Sequence, residues 1–253
     1  MYCDSATYDR GNNSFIAYSN IKIVENDSMK LYGDSLHYFG NEEKAYLYGN
    51  VKLITNQILM NANSLIYDQN NNYAYYDDGG IIKHHGKNYT INSKVGRFNS
   101  INKVLFFKKD VRLEHIDYQI FSDTLVYHTE TEKTNIIGDT KIKSRNSTIS
   151  CSKGWFDNNN QTSSLKGNIV IDSKNYQFYA DSIFYQEQKG EAFAKGEVKI
   201  IDDSSQTVII GQFGYHNENK DSARIWEHAI MTQYDSIDTI HVYADQFIHV
   251  HDS

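Results

Sequence analysis

The sequence contains no proline in 253 residues. Proline lacks the backbone N–H that a sheet ladder needs, so β proteins confine it to edges, turns and bulges. Its absence therefore favours a chain that runs mostly within sheets. The chain also has 20 tyrosines and 12 phenylalanines, and aromatic residues are enriched in strands. Together these features predict an all-β fold.

Three other absences exclude classes of protein. No run of about 18 apolar residues is present, so the sequence predicts no transmembrane segment. The chain begins Met1, Tyr2, Cys3, Asp4, without a basic segment or an apolar core, so no export signal is recognised. The net charge of −7 is not that of a nucleic-acid-binding protein, which needs a basic stripe. It also disfavours docking on anionic membrane surfaces.

One short pattern recurs along the whole chain. Its reference residue, here called the anchor, follows a small residue and precedes an aromatic residue or a histidine by four positions. An apolar residue stands three positions before each of the last eight anchors. The anchors are 29 to 33 residues apart: Asp4, Asp34, Asn63, Lys94, Asp123, Ser152, Asp181, Gln212 and Asp245.

The second half of each repeat alternates between apolar and polar residues. After Asp34, for example, Val51 and Leu53 are apolar while Asn50 and Lys52 are polar. Such alternation indicates a strand with one buried face, and clusters of Asn, Gly, Ser and Asp mark turns at both ends. Each repeat is therefore predicted to be a hairpin of two strands of about ten residues.

The small residue before the anchor and a frequent glycine fifteen positions after it, such as Gly49, mark points where strands bend. Bent antiparallel strands fold a sheet along its length, so that its apolar faces meet inside. We therefore predict one domain over residues 1–253, an elongated, bent antiparallel β-jellyroll (a β-taco) of about eight hairpin repeats, most of 29 to 31 residues. A right-handed parallel β-helix ranks second, because it needs one-directional coils rather than two turn clusters per repeat.

No residue pattern indicates catalysis, so an enzyme is not predicted. The acidic anchors occur once per repeat, which favours a structural role in capping backbone groups. His249 and His251 share a strand face, and His84 and His85 lie in a turn, but no third ligand accompanies them, so neither a metal nor a cofactor is expected. Cys3 and Cys151 lie five repeats apart, about 48 Å at the spacing of strands, so no disulfide is predicted.

The apolar residues at alternate positions are predicted to face a shared interior. The candidate lining residues are Leu47, Val51, Leu53, Ile91, Phe107, Val111, Leu113, Ile120, Ile149, Ile169, Ile171, Phe178, Val198 and Ile200. A row of basic residues between them is predicted to face solvent: Lys22, Lys52, Arg112, Lys141 and Lys199.

Three functions stay open on the residues alone. A fully closed interior would give a structural or adhesive β-solenoid without a ligand. An open interior would give an apolar groove for a ligand with several acyl chains. A carbohydrate-binding or lyase-type β-solenoid is the third, and the lack of a clustered charged and aromatic site disfavours it.

Short segments of the chain resemble the strand signatures of the OstA-like family. They are "YGNVKL" at 48–53, "KGNIVI" at 166–171 and "KGEVKI" at 195–200, with the partner strands "ANSLIY" at 62–67 and "ADSIFY" at 180–185. The likeness extends over essentially all 253 residues. Three segments depart from it: "DDGGII" at 77–82, "FKKDVRL" at 107–113 and "IWEHAIM" at 225–231.

The family contains periplasmic lipopolysaccharide-transport proteins, including the soluble bridge protein and the N-terminal domain of the outer-membrane translocon. The resemblance implies a periplasmic conduit whose groove shields the acyl chains of lipopolysaccharide. It also implies end-to-end strand pairing with other OstA-like domains, for which the candidate edge residues are Asp4, Tyr8, Val242 and Phe247. Because the chain starts and ends inside a repeat and shows no signal, we expect a fragment of a longer exported protein.

Overall fold

The computed structural model describes residues 1–25, 29–86, 88–174, 176–220, 222–234 and 238–250. Within these ranges most residues lie in β strands, and the helical residues are two single 3-10 turns, Glu187–Lys189 and Glu218–Lys220. The all-β prediction is confirmed. Over the same ranges, no helix has the length and apolar character needed to cross a membrane. His251 lies outside the described residues.

The chain divides into two compact units, Met1–Glu130 and Thr131–Ser253. Eleven strands are described in the first unit: β1 Ser5–Asp9, β2 Ser14–Glu25, β3 Met29–Phe39, β4 Lys44–Thr55, β5 Ile58–Asp68, β6 Tyr73–Tyr76, β7 Gly80–His84, β8 Thr90–Ser93, β9 Val95–Asn99, β10 Val104–Glu114 and β11 Tyr118–His128. Eight are described in the second: β12 Lys133–Ser144, β13 Ser147–Asp157, β14 Thr162–Ser173, β15 Tyr176–Gln186, β16 Glu191–Asp202, β17 Thr207–Asn217, β18 Ser222–Tyr234 and β19 Thr239–Val250. The expectation of a single domain over residues 1–253 stays a prediction.

Each unit is an antiparallel meander in which consecutive strands pair. In the second unit every strand from β12 to β19 pairs with the next one along the chain. In the first unit β5 pairs with both β6 and β7, and β10 pairs with both β8 and β9. β6 and β7 are therefore the two halves of one repeat strand that is broken in the middle, and β8 and β9 are the two halves of the next. The predicted series of hairpin repeats is confirmed.

Every long strand in the second half of a repeat bends at a β-bulge opposite an anchor residue. Between β4 and β5, Gly49 and Asn50 together face Asn63, and both have positive φ angles of 73° and 47°. The same two-to-one arrangement places Gly196 and Glu197 opposite Gln212. Glycine adopts positive φ at little cost, whereas other residues pay for it. The glycines therefore mark the bends, as predicted.

Two of the three segments that depart from the signature keep the same bulge without glycine. Lys109 and Asp110 have φ angles of 63° and 53°, and Glu227 and His228 have 62° and 58°. Each pair interrupts the register of its strand at the expected place. The third departure, at 77–82, does change the fold, because it separates β6 from β7.

The turns after β1, β5 and β13 share one hydrogen-bond pattern. In the turn after β13, the carboxylate of Asp157 accepts bonds from the backbone N–H and the side-chain amide of Asn160, at 3.1 and 2.9 Å. Asp9 and Asp68 accept equivalent bonds from Asn12 and Asn71. The Asn159 side chain also donates to the carbonyl of Thr131 in the preceding turn, at 3.1 Å. The Asn159 bond ties the turn after β13 to the preceding turn along the edge of the sheet.

The core lies along the line of bulges. The side chains on either side of each bulge that point inward are the most buried in the molecule, as at Ile21, Leu47, Val51, Ile169 and Val198. On the opposite face, Lys22, Lys52, Arg112 and Lys141 are exposed, as predicted, while Lys199 is partly covered and its ammonium lies 5.7 Å from the ring centroid of Tyr179. The sheet therefore has an apolar inner face and a largely solvated outer face.

Candidate functional site

The anchor side chains cover the bulges of their own repeats. The side-chain amide of Asn20 donates a 2.8 Å bond to Asp4, and that of Asn50 donates a 2.8 Å bond to Asp34. The Ser152 hydroxyl donates to the backbone carbonyl of Gly167 at 3.3 Å. An anchor thus bonds to a backbone group at Ser152 and to a side-chain amide at Asp4 and Asp34. These bonds give the acidic anchors a structural role.

Each bulge divides the inner face of its hairpin into two arms. The turn arm runs from the bulge to the turn that joins the two strands of the hairpin, and it includes Leu36 and Leu47 in the hairpin of β3 and β4. The loop arm runs from the bulge to the loops that join successive repeats and includes Leu31 and Leu53, which face each other across the same hairpin. Corresponding positions in the other repeats are assigned to the same arms.

The loop arms of the second unit are apolar and only half buried. Their inward residues pair across the strands, as Ile149 with Ile171 and Phe178 with Ile200. All four of these side chains are partly exposed to solvent. Phe178, Ile200 and Ile209 also pack against a buried cluster that contains Ala180, Val198 and Ile225. The second unit therefore presents an accessible apolar strip above a packed base.

In the first unit the loop arms differ from repeat to repeat. Ile23, Leu31 and Leu53 are half buried, like their counterparts in the second unit. In the following strands the equivalent residues are all less than 10 % exposed: Met60, Ile82, Ile91, Leu113 and Ile120. The inner face is accessible over β2 to β4 and closed from β5 to β11.

The fourteen candidate lining residues fall into three groups by depth. Leu47, Val51, Phe107, Val111, Ile169 and Val198 lie beside the bulges and are 1–2 % exposed. Ile91, Leu113 and Ile120 are buried in the closed part of the first unit. Leu53, Ile149, Ile171, Phe178 and Ile200 are half buried. A ligand could reach only the last group without displacing core side chains.

The inner face offers apolar contact and little else. The loop-arm residues three positions before and nineteen after each anchor are aliphatic, Met or Phe throughout. Cys151, on the same face, is buried, and this burial raises the pKa of its thiol. Both cysteines are free. Such a surface takes apolar chains by area, without directional recognition.

Among the described residues, the ionisable side chains are dispersed rather than clustered. Across the described part of the chain, no group of three or more His, Cys, Asp or Glu side chains is placed to hold a metal ion. The carboxylate with the largest shift, Asp157, has its pKa lowered to about 2 by the Asn160 side-chain and backbone bonds, with a smaller contribution from Lys133. That carboxylate stabilises a turn.

The candidate edge residues lie on strands with one described partner each. β1 pairs with β2; Asp4 immediately precedes β1, and the side chains of Asp4, Tyr8 and the other β1 residues are exposed. β19 pairs with β18, and Val242 is exposed while Phe247 is half buried. Within the described residues, the other edge of each strand is available for pairing.

Tyr76 is a site residue that the sequence analysis did not identify. It lies on the inner face at the end of β6, is 2 % exposed, and contacts the backbone at Gly80 and Gly96. A signal was present in the sequence, because Gly80 and Gly96 occupy repeat positions where most other repeats have a larger apolar residue, such as Val51 and Leu36. Two glycines in place of larger residues within one repeat indicate that a large side chain from a neighbouring position fills the space.

Comparisons with known proteins bear on the family. Residues 1–123 match the model of a family described as OstA-like protein. No curated protein matches the chain. One solved structure that matches is LptH from Pseudomonas aeruginosa, described as the LptA-homologous periplasmic component of the lipopolysaccharide transport device. The two sequences are 12% identical over 57% of this chain and 80% of the other, with a TM-score of 0.25.

The family match extends from the first residue to the fifth anchor, Asp123, and so contains four complete repeats. It includes the "YGNVKL" and "ANSLIY" segments, on which the resemblance was based. Residues 1–123 of the chain are therefore similar to the OstA-like family.

Proposed function

We propose that the chain binds the acyl chains of lipopolysaccharide on its inner face and shields them from water during transport through the periplasm to the outer membrane. One observation carries the proposal: apolar loop-arm residues such as Ile171 and Ile200 remain partly exposed above a packed base. Residues in a finished core are normally covered completely. The OstA-like match over residues 1–123 supports the choice of ligand.

The energetics favour a lipid with long acyl chains. Each buried methylene contributes about 0.8 kcal/mol, so several chains together offset the cost of leaving a membrane. The sugars and phosphates of such a lipid would remain in solvent, because the loop-arm rows contain no group that could pair with them. This binding is passive, so the direction of transport must come from another component.

A closed structural solenoid explains the second unit less well. In that architecture, Ile149, Ile171, Phe178 and Ile200 would all be covered by the opposite arm, yet each is partly exposed. The exposed apolar area would then carry a cost without a function. Lipid binding accounts for it.

End-to-end pairing with another OstA-like domain would lengthen the conduit. β19 is twelve residues long and contains neither proline nor lysine, although these residues commonly protect free sheet edges. Addition of a strand from a partner would satisfy its backbone groups. The partner strand would belong to another OstA-like domain.

Two neighbouring substitutions test the binding site. Ile171 and Val170 are adjacent, apolar and half buried, but they lie on opposite faces of β14. Ile171→Asn is expected to weaken binding of purified lipopolysaccharide severalfold in a fluorescent-lipid displacement assay. Val170→Asn is the matched control and should leave binding unchanged. Equal effects of the two substitutions would contradict a binding site on the inner face.

A further inference from the structure

Tyr76 fills the interior of the first unit at the bend of the third repeat. A Cβ atom built on Gly80 would lie 2.5 Å from the Tyr76 Cζ, and one built on Gly96 would lie 2.3 Å from the same atom. Real Cβ atoms essentially never come so close. The Tyr76 ring therefore occupies the space that inward side chains take at these two positions in other repeats.

The Tyr76 hydroxyl is fixed as well as its ring. It forms a 2.8 Å hydrogen bond with the Ser93 hydroxyl, and Ser93 in turn donates to the carbonyl of Val95 at 3.1 Å. Ser93 stands immediately before an anchor, where the corresponding residues in other repeats include Gly33, Ala62 and Ala180. A buried tyrosine needs such a partner, so the ring is held in one position.

The loop-arm residues of the strands around Tyr76 are buried. Ile82 and Ile91 pair with each other across β7 and β8 and are 5 % and 6 % exposed. Leu53 and Ile200 occupy the same repeat position as Ile82 and are half buried. The closure coincides with the broken strands β6 to β9, that is, with the repeat that departs from the family signature.

We propose that Tyr76 is a specificity-determining residue that closes part of the inner face of the first unit to acyl chains. Bound chains would lie along β2 to β4 and would not enter the segment from β5 to β11. The substrate of the conduit would then be limited by the length of accessible face before the closure. This inference rests on the proposed lipid-binding function and adds a boundary to it.

The test uses intermolecular nuclear Overhauser effects between unlabelled stearate and the full chain labelled at its Ile and Leu methyl groups. These effects reach only neighbouring atoms, so they report contact at individual residues without altering the lining. In the native protein, the methyl groups of Leu53, Ile171 and Ile200 should show contacts with stearate. Those of Ile82 and Ile91 should show none.

Three variants of Tyr76 separate closure from mere packing. Tyr76→Ala should produce stearate contacts at Ile82 and Ile91 and leave those at Ile171 unchanged. Tyr76→Leu serves if the alanine variant does not fold, because leucine occupies this position in other repeats, as at Leu47 and Leu165. Tyr76→Phe keeps the ring and should keep Ile82 and Ile91 free of contacts.

The possible failures are distinct. Contacts at Ile82 and Ile91 in the native protein, equal to those at Leu53, would overturn the closure while leaving lipid binding intact. Their absence in a folded Tyr76→Ala or Tyr76→Leu variant would overturn the role of Tyr76. Contacts at none of the inner-face methyl groups would contradict the proposed function and the closure with it.

Discussion

The side-chain amide of Asn50 donates a 2.8 Å hydrogen bond to the carboxylate of Asp34, sixteen residues earlier in the chain. The same carboxylate lies over Gly49, where an added Cβ would come within 2.4 Å of its Oδ2 atom. The φ angle of Gly49 is also positive, at 73°. The anchor Asp34 therefore packs against and hydrogen-bonds the bulge of its own repeat. Glycine is required at position 49 both by the backbone conformation and by the available space.

Substitution of this glycine should destabilise the first unit. Gly49→Ala would place a Cβ in the left-handed region and against Asp34, and we expect a loss of about 2 kcal/mol or more in the free energy of unfolding. Chemical denaturation followed by circular dichroism measures the change.

Gly86→Ala is the control for Gly49→Ala. The nearest atom to a Cβ at Gly86 is the His84 Cε1 at 3.7 Å, an ordinary contact, and its φ angle lies outside the left-handed region. This variant should be as stable as the native chain. Equal losses at the two glycines would contradict the role assigned to the bulge.

Stability should depend on pH through Asp157. The folded protein lowers the pKa of this carboxyl from 3.8 to about 2. A lowered pKa in the folded state means that the ionised carboxylate stabilises the fold above the unfolded value, and that this contribution is lost as the pH falls from 3.8 towards 2. In Asp157→Asn, this part of the acid sensitivity should disappear from urea unfolding curves recorded across that range.

The causes of the Asp157 shift can be ranked. The side-chain bond from Asn160 is the largest, while Lys133, whose ammonium lies 3.0 Å from the carboxylate, contributes less. Asn160→Ala should therefore raise the pKa of Asp157, measured by NMR titration, more than Lys133→Gln does. The reverse order would show that charge rather than hydrogen bonding controls this turn.

End-to-end association should depend on the backbone of β19. Proline has no N–H to donate to a sheet ladder. Val242 and Phe247 are an odd number of residues apart, so their N–H groups point to opposite sides of the strand and one of the two faces the free edge. A variant that carries both Val242→Pro and Phe247→Pro is therefore expected not to associate. Analytical ultracentrifugation measures the association.

The signal of β12 to β16 in hydrogen exchange is the control for these proline variants, because the middle of the second unit should stay protected. If association survives both substitutions, β19 is not the pairing edge. A chain that remains monomeric at high concentration would also remove the basis for end-to-end pairing.

Most of the fold could be predicted from the sequence because the same residue pattern recurs in successive repeats. A single segment such as "YGNVKL" fits many strands, but its recurrence in register with the anchors fixed the hairpins and the bends. The positions of Gly49, Gly167 and Gly196 then marked the bulges correctly. The bulges at Lys109 and Glu227 were harder to recognise, because there the paired strands impose the left-handed conformation on residues that do not favour it.

The burial of individual residues on the inner face could not be predicted in the same way. Alternation shows which side of a strand a residue faces, and Ile91 and Ile171 look alike by that measure. We attribute their difference in burial to the packing of Tyr76 against Gly80 and Gly96, which lie in different strands. A pattern read from what most repeats share does not show where one repeat has a large residue at one position and glycines at two others.

Site-specific photo-crosslinking tests the central claim most directly. A photoreactive amino acid is placed at Leu53, Ile171 or Ile200 on the inner face, or at Lys52, Lys141 or Lys199 on the outer face, and the chain is illuminated with bound lipopolysaccharide. The account predicts capture of lipid at the three inner positions and little or none at the three outer ones. Equal capture on both faces would contradict a conduit along the inner face.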